Sequence, residues 1–344
     1  MNITIKTIAK AAGVSTAAVS KALNGYADIG EETRDRIVRI SSELGYTPNA
    51  MARNLVKKTS DILGLLIPDI STPIYAEIFK GLDAESKRRG LNLFLCDTNR
   101  KKDFELSYVR TLLENRAQGI IVAPVDNDVS HILKLVGNRL PLVFIGGKVN
   151  DTMDNYVSTD NRLGARLAVE HLAGLGHRDI LMLCDNYRTK TKKDRVAGFR
   201  DAMEARGLES RVLIAPDGDL EGVEYGCAAA EGVFASGRIP TAVFASSDMV
   251  ALGVMRAAAA RGVSIPRDLS LVGFDDIMFA SLPTVMLTTV AQPKFELGVL
   301  AVEILCDSLE SGGTGGTRRK IVEPRLVVRS TSAAPRGTEV PDAD

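Results

Sequence analysis

Apolar residues follow three different spacings along the chain. Over residues 1–46 they recur every three or four places in short bursts: Ile5, Ile8 and Ala9, then Val19, Ala22 and Leu23, then Ile37, Ile40 and Leu44. Each burst lies on one face of a helix. Thr4 and Ser15 stand where N-caps are needed, and Val14 and Val19 are spaced for a hydrophobic staple around Ser15. Gly13 and Gly45 mark helix ends. Three short helices are predicted, the third over about 31–44. The turn at Gly13 makes the first two a helix-turn-helix.

The segment 47–60 breaks this pattern. Thr47 can cap a short helix and Pro48 suits its first position, but the stretch is polar apart from Ala50, Met51, Ala52, Leu55 and Val56. Eight or nine such residues do not hold a helix in water unaided. It is expected to be a disordered linker that folds only when something holds it.

From Ile62 onward, apolar runs of four to six residues alternate with amphipathic helices. The runs are ILGLLI, LNLFLC, GIIVA, PLVFIG, DILML, RVLIA, TAVFA and LSLVGF; the helices are predicted over 74–89, 103–115, 161–174, 194–206, 222–235 and 248–261. A late helix, 293–309, and a strand, 319–328, follow. Short continuous apolar runs alternating with helices predict parallel sheets buried on both faces. The alternation is too long for one sheet. The division expected is 61–160 with 293–318 as one lobe, 161–292 with 319–330 as the other, and 331–344 as a disordered tail.

Composition adds three points. At 344 residues, 45% apolar and 25% charged, the chain suits a soluble protein of two or three units. No apolar run nears the roughly 20 residues that span a bilayer, and MNITIKTIAK lacks a signal-peptide core. A cytoplasmic protein is expected, with its four widely spaced cysteines reduced. The net charge of zero hides an asymmetry. Residues 1–60 hold nine basic and five acidic residues, hence +4; the remainder holds 34 basic and 38 acidic, hence −4. A basic head suits a polyanion.

The second helix fits that partner. The face opposite Val19 and Ala22 carries only Thr16, Ala17, Ser20, Lys21 and, at its end, Asn24. A DNA major groove, about 12 Å wide, admits a helix when base edges can come close. Thr16 offers a hydroxyl, Ala17 a methyl for thymine, Lys21 a donor for guanine or phosphate, and Ser20 a phosphate contact. Packing of a small-residue helix inside a bundle is the bland alternative.

The motifs TIKTIAKAAGVSTAAVSKALNG, EETRDRI, ELGYTPNAMARNL, GHRDI, RVAGF and LVGFDD, in this order over about residues 3–330, resemble the lac-repressor (LacI/GalR) family of bacterial transcription regulators. The resemblance implies an all-α helix-turn-helix DNA-binding domain (1–46), a hinge helix (47–60) and an α/β periplasmic-binding-protein-like body of two parallel-sheet lobes. It also implies a homodimer on a palindromic operator in double-stranded DNA. Thr16, Ala17 and Lys21 occupy the family's base-reading positions. Tyr46, Asn49 and Arg53, with Thr4, Ser15, Ser20 and Asn24, fall where the family contacts DNA or supports the reader. Leu55 stands where a leucine enters the minor groove. Thr7 replaces a usual Asp, weakening the capping box with Thr4, and Gly30 replaces a usual Ser cap.

By the same resemblance an effector lies between the lobes against Ile74, Tyr75, Asp160, Thr191, Arg195, Leu220, Asp248, Asp275 and Gln292. Carboxylates and an Arg at strand ends suit a polyol. Asp160 and Asp275 as turn caps, Arg195 as a surface residue and Tyr75 as core are the competing readings. Leu220, where the family often has an aromatic, and the absence of Trp make a purine less suitable. Lys190, Lys192 and Lys193, with Lys148, raise a sugar acid or sugar phosphate; solvated lysines with a neutral sugar is the alternative. No metal or cofactor is expected, and no G-x-S-x-G, G-x-G-x-x-G or P-loop supports an enzyme. A stand-alone solute-binding protein is disfavoured by the reader and hinge. The tail carries no heptads, so a dimer rather than a tetramer is expected.

Overall fold

A computed structural model describes residues 3–23, 26, 28–46, 60–146, 155–216, 220–311 and 318–336. The chain divides into two compact units, Met1–Ser60 and Asp61–Asp344.

The first unit holds α1 (Ile5–Ala12), α2 (Thr16–Leu23) and α3 (Glu31–Glu43). Ile8, Ala9, Ala12, Val19, Ala22 and Ile37 are buried together, with Val14, Leu23, Ile40, Leu44 and Tyr46 against them. Gly13 takes φ 68°, which glycine adopts without penalty, so α1 stops in one residue. The Ser15 hydroxyl then accepts from the Ala18 N–H at 3.1 Å, as a cap must. The box at Thr4 is thin: its N–H reaches Thr7 Oγ1 at 3.4 Å. Gly30 offers α3 no side-chain cap, and Glu31 and Glu32 supply negative charge to its first turn instead.

The second unit contains two six-stranded sheets. The first, in order β11-β5-β4-β3-β1-β2, is parallel throughout and comprises β1 (Ile62–Ile67), β2 (Asn92–Asp97), β3 (Gly119–Val122), β4 (Leu142–Ile145), β5 (Asn155–Thr159) and β11 (Arg318–Val322). The second, in order β12-β10-β9-β8-β6-β7, comprises β6 (Ile180–Cys184), β7 (Arg211–Ile214), β8 (Ala242–Ala245), β9 (Ser270–Asp275), β10 (Thr288–Ala291) and an antiparallel edge, β12 (Arg325–Val327). Helices α4 (Ile74–Arg88), α5 (Lys102–Glu114), α6 (Ser130–Val136) and α11 (Lys294–Glu310) cover the first sheet, and α7 (Asn161–Gly174), α8 (Lys190–Glu204), α9 (Gly222–Ala235) and α10 (Asp248–Arg261) cover the second. A Cβ on Gly298 would lie 2.3 Å from the Ile78 carbonyl oxygen, so α11 can cross α4 only with glycine there.

The chain passes between lobes three times, after β5, after β10 and after β11. The last crossing corrects the single strand expected over 319–328. Glu323 and Pro324 break it, because proline has no N–H for a ladder. Residues 318–322 therefore pair with β5 in the first lobe, and only 325–327 join the second. The tail is corrected over 331–336, while 337–344 lie outside the described residues. Thr331 is buried; its carbonyl accepts from the Leu271 N–H at 2.7 Å, and its hydroxyl donates to the Leu271 carbonyl at 2.7 Å. His171 meets Ser332 at 2.8 Å and His177 meets the Ala333 carbonyl at 2.9 Å. Residues 330–336 are thus clipped along the second lobe by hydroxyl and imidazole groups.

Candidate ligand cleft and helix-turn-helix face

On α2 the residues split cleanly. Val19 and Ala22 are buried, Thr16, Ala17 and Lys21 are exposed, and Ser20 is half-buried beside them. The exposed face is free of bulk, as close approach to base edges requires. Lys21 is held meanwhile by Asp28, Nζ to Oδ2 at 2.5 Å.

In the body a cleft of about 460 Å³ opens where the strands of both sheets end, within the roughly 300–1,000 Å³ usual for small-ligand sites. From the first lobe come Asp69, Ile74 and Tyr75 after β1, Arg100 after β2, and Thr159 at the end of β5. From the second come Asp185 after β6, the opening turn of α8 with Thr191, Lys192 and Arg195, Glu221 before α9, Asp275 at the end of β9, and Gln292 after β10.

The polar groups form linked sets. Arg195 is almost fully buried. It donates to Asn161 Oδ1 at 2.8 Å and the Ser246 carbonyl at 2.5 Å, faces Asp275 at 3.2 Å, and stacks on Phe274 with 3.6 Å to the ring centre. Gln292 donates to the same Asp275 oxygen at 2.7 Å and accepts from Thr159 at 2.6 Å. Asp275 thus lines the cleft with two donors fixed on one of its carboxylate oxygens. Its backbone has φ 121° and Asp276 follows at 54°; such residues cost on the order of 1–3 kcal/mol each, a strain found at ligand clamps.

A second set surrounds Asp185. Lys192 lies 2.7 Å from Oδ1, Ser246 donates to that oxygen at 2.9 Å, and the Gly222 N–H donates to Oδ2 at 2.9 Å. Burial pushes this carboxyl up, but Lys192 and the other donors outweigh it and hold it at about 2. At the mouth Arg100 reaches Asp69 at 3.2 Å and pairs across the lobes with Glu221. Burial raises the Tyr75 hydroxyl well above its ordinary value, so the ring stays neutral as an aromatic wall.

Residues 4–49 match the family described as bacterial regulatory proteins, lacI family, and residues 169–332 match a periplasmic binding protein-like domain. The chain is 33% identical over 340 residues to the HTH-type transcriptional regulator DegA of Bacillus subtilis, covering 97% of this chain and 99% of that one. It is 31% identical over 330 residues to the ribose operon repressor of Haemophilus influenzae, covering 95% and 98%. Among solved structures, the lac repressor dimer bound to operator and the anti-inducer ONPF superposes with a TM-score of 0.87 at 25% identity, covering 97% of this chain and all of that one. The chain belongs to the LacI family. It is a DNA-binding transcriptional regulator, and the enzyme reading falls away with that membership. Among the described residues no helix is long and apolar enough to cross a membrane.

The structure of this LacI-family regulator brings Ile74, Tyr75, Thr191, Arg195, Asp275 and Gln292 to the cleft wall. Three expected residues are elsewhere. Asp160 caps α7, its Oδ1 accepting from the Leu163 N–H at 2.9 Å. Asp248 is fully buried behind the cleft, accepting from Thr289 at 2.5 Å and from the Ile277 N–H at 2.9 Å. Leu220 is half-exposed and off the wall. The helix predicted from 194 starts earlier, so that from Lys190 the basic stretch 188–195 forms the first turns of α8, with Thr189 at the N-cap. Lys190 pairs with Asp194, Lys192 with Asp185, and Lys193 stands 6.0 Å from the Tyr187 ring centre. Lys148, Asn24, Asn49, Arg53 and Leu55 lie outside the described residues. Sequence reasoning missed Asp69, Arg100, Asp185 and Glu221. The strand-end rule that picked Asp275 finds Asp69 and Asp185 as well, since each closely follows an apolar run.

Proposed function

We propose that this regulator represses transcription as a homodimer on a palindromic operator, and that a neutral sugar held between the lobes of the body sets its operator affinity. The observation that carries the ligand class is the charge pairing of the cleft. Each described cation on its wall already has a carboxylate: Arg100 has Asp69 and Glu221, Lys190 has Asp194, Lys192 has Asp185, and Arg195 has Asp275. A sugar acid would have to take one of these cations from its partner, leaving a carboxylate stranded in a low-dielectric wall. Neutral hydroxyls need only the spare lone pairs and N–H groups. The name of the Haemophilus influenzae relative points to the same ligand class.

A second copy of the chain fits the exposed edges of both sheets. Phe94 and Leu95 on β2, Leu213 and Ile214 on β7, and Met278 are large apolar side chains exposed in the single chain, and exposed apolar groups at sheet edges suit a protein–protein contact. The hinge, with Leu55 as its minor-groove wedge, completes the bacterial cytoplasmic regulator proposed here. A sugar that prefers one lobe arrangement shifts the dimer between states that differ in operator affinity, and the coupling is reciprocal.

The test is thermal unfolding of the full chain with neutral sugars, sugar acids, sugar phosphates and purines. A ligand at 100 times its Kd adds about 2.7 kcal/mol. A rise in Tm with neutral sugars alone is expected. A rise with acids or phosphates alone overturns the ligand class.

A further inference from the structure

Lys294 is in an unusual place for a lysine. It is the first residue of α11, at the helix end where the backbone dipole disfavours a cation, and it is only 6% exposed. Its ammonium is nevertheless fully engaged. It donates to the Asp275 carbonyl at 3.0 Å and to the Asp276 carbonyl, and lies 3.3 Å from Glu77 Oε1. Those two carbonyls belong to two consecutive residues with positive φ, Asp275 at the end of β9 and Asp276 just after it. The Asp276 carboxylate is tied separately, to Arg329 at 2.6 Å.

These contacts join two lobes. Lys294 and Glu77 belong to α11 and α4, which pack on the first sheet, and α4 also carries Ile74 and Tyr75 of the cleft wall. The Asp275–Asp276 turn belongs to the second sheet. Lys294 itself is not on the cleft wall. We propose that Lys294 is a positioning residue: anchored in the first lobe, it holds the strained turn of the second so that the Asp275 carboxylate faces the ligand, and it ties that orientation to the arrangement of the lobes. Ligand affinity then depends on a residue that never touches the ligand. The ligand half of this proposal rests on the carbohydrate reading; the structural half does not.

Hydrogen exchange of the full-length, ligand-free protein tests the structural half, comparing wild type with Lys294→Met and Lys294→Arg. Lys294→Met is expected to speed exchange in a peptide spanning 275–282 by at least about tenfold, as loss of charge-assisted hydrogen bonds implies. Peptides from β6 and β8 should be unchanged, and Lys294→Arg, which keeps a cationic donor, should restore slow exchange. Unchanged exchange at 275–282 overturns the proposal. So does an equal rise across the whole second lobe, or a failure of Lys294→Arg to restore the turn, since these mark a merely structural lysine. If Lys294→Met does not fold, Lys294→Gln, which keeps a neutral donor, is expected to fall between wild type and full loss, and wild-type exchange there overturns the idea equally. With D-ribose as probe, Lys294→Met should weaken binding at least about tenfold and Lys294→Arg should recover it. If wild type responds to no sugar, the carbohydrate reading fails while the exchange result still judges Lys294.

Discussion

Asp248 allows a test in which the sign itself decides. Its carboxyl is fully buried, and burial first, then the nearby Asp275 carboxylate, pushes it from 3.8 up to about 8. The folded protein at neutral pH therefore holds Asp248 protonated, whereas the unfolded chain ionises it. A carboxyl raised in this way contributes fully below its unfolded value, and the contribution is lost as pH rises toward the folded value. The slope is about 1.4 kcal/mol per pH unit, or about 2.7 kcal/mol between pH 5 and pH 7. Asp248→Asn removes the proton uptake and keeps the shape. Its amide oxygen can accept from the Ile277 N–H, and the Thr289 hydroxyl can turn to accept from the amide nitrogen, so both observed contacts survive. Urea unfolding of the body at pH 5, 6 and 7 should find the variant already more stable than wild type at pH 5, by about 1.6 kcal/mol. Its advantage should then grow by about 1.4 kcal/mol per unit. A variant less stable by one constant amount at all three values would refute this. It would mean that Asp248 folds ionised and that asparagine merely loses charge-assisted hydrogen bonds.

Two further substitutions separate the body from the reader. Arg195→Met keeps length but strands the Asp275 carboxylate and the Asn161 and Ser246 acceptors; a loss of about 3–5 kcal/mol in urea unfolding, with the sugar response abolished, is expected, and a loss under 1 kcal/mol would show that the pair is not formed. Asp28→Asn releases Lys21 from its ion pair; binding to random-sequence duplex DNA should tighten at low salt, the gain fading as salt is raised, and unchanged low-salt binding would show that Asp28 does not compete for Lys21.

The fold was legible where burial is achieved with aliphatic side chains and hidden where it is achieved with hydroxyls. ILGLLI and LSLVGF are visible at once as central strands. β5 (NYVST) and β10 (TTVA) are buried just as deeply, yet Ser158, Thr159, Thr288 and Thr289 make them look like loop. The hydroxyls are accommodated because each has a partner: Ser158 donates to the Thr159 carbonyl, Thr159 to Gln292, and Thr289 to Asp248, while Thr288 meets Ser332 at 3.1 Å. Such strands cannot be read from apolar runs, because the partners lie up to 133 positions away. The same distance effect governed the cleft. Asp275 and Asp248 both stand at strand-end turns and both are acids, but one faces the ligand space and the other a buried seam, and only tertiary packing separates them.

Charge shows most clearly why the ligand class needed the fold. In the sequence, 188–195 is a basic run with Lys190, Lys192 and Lys193 close together, and a basic run beside a binding cleft suggests an acidic ligand. Helix geometry removes that implication. A start at Lys190 places Asp194 one turn below Lys190, at the i,i+4 spacing that favours pairing. The same turn directs Lys192 inward, onto an acid at the end of β6. Lys193 falls to the side of Tyr187. The three cations thus diverge, and the two on the cleft wall meet acids that the local pattern counts as unrelated. Arg100 is the extreme case, paired with Glu221 from the opposite lobe, 121 residues on. A cluster of like charges in sequence therefore calls for an oppositely charged ligand only when the fold leaves those charges unpaired. In this cleft the described cations are paired, and that moves the expected ligand from the anionic sugars to the neutral ones.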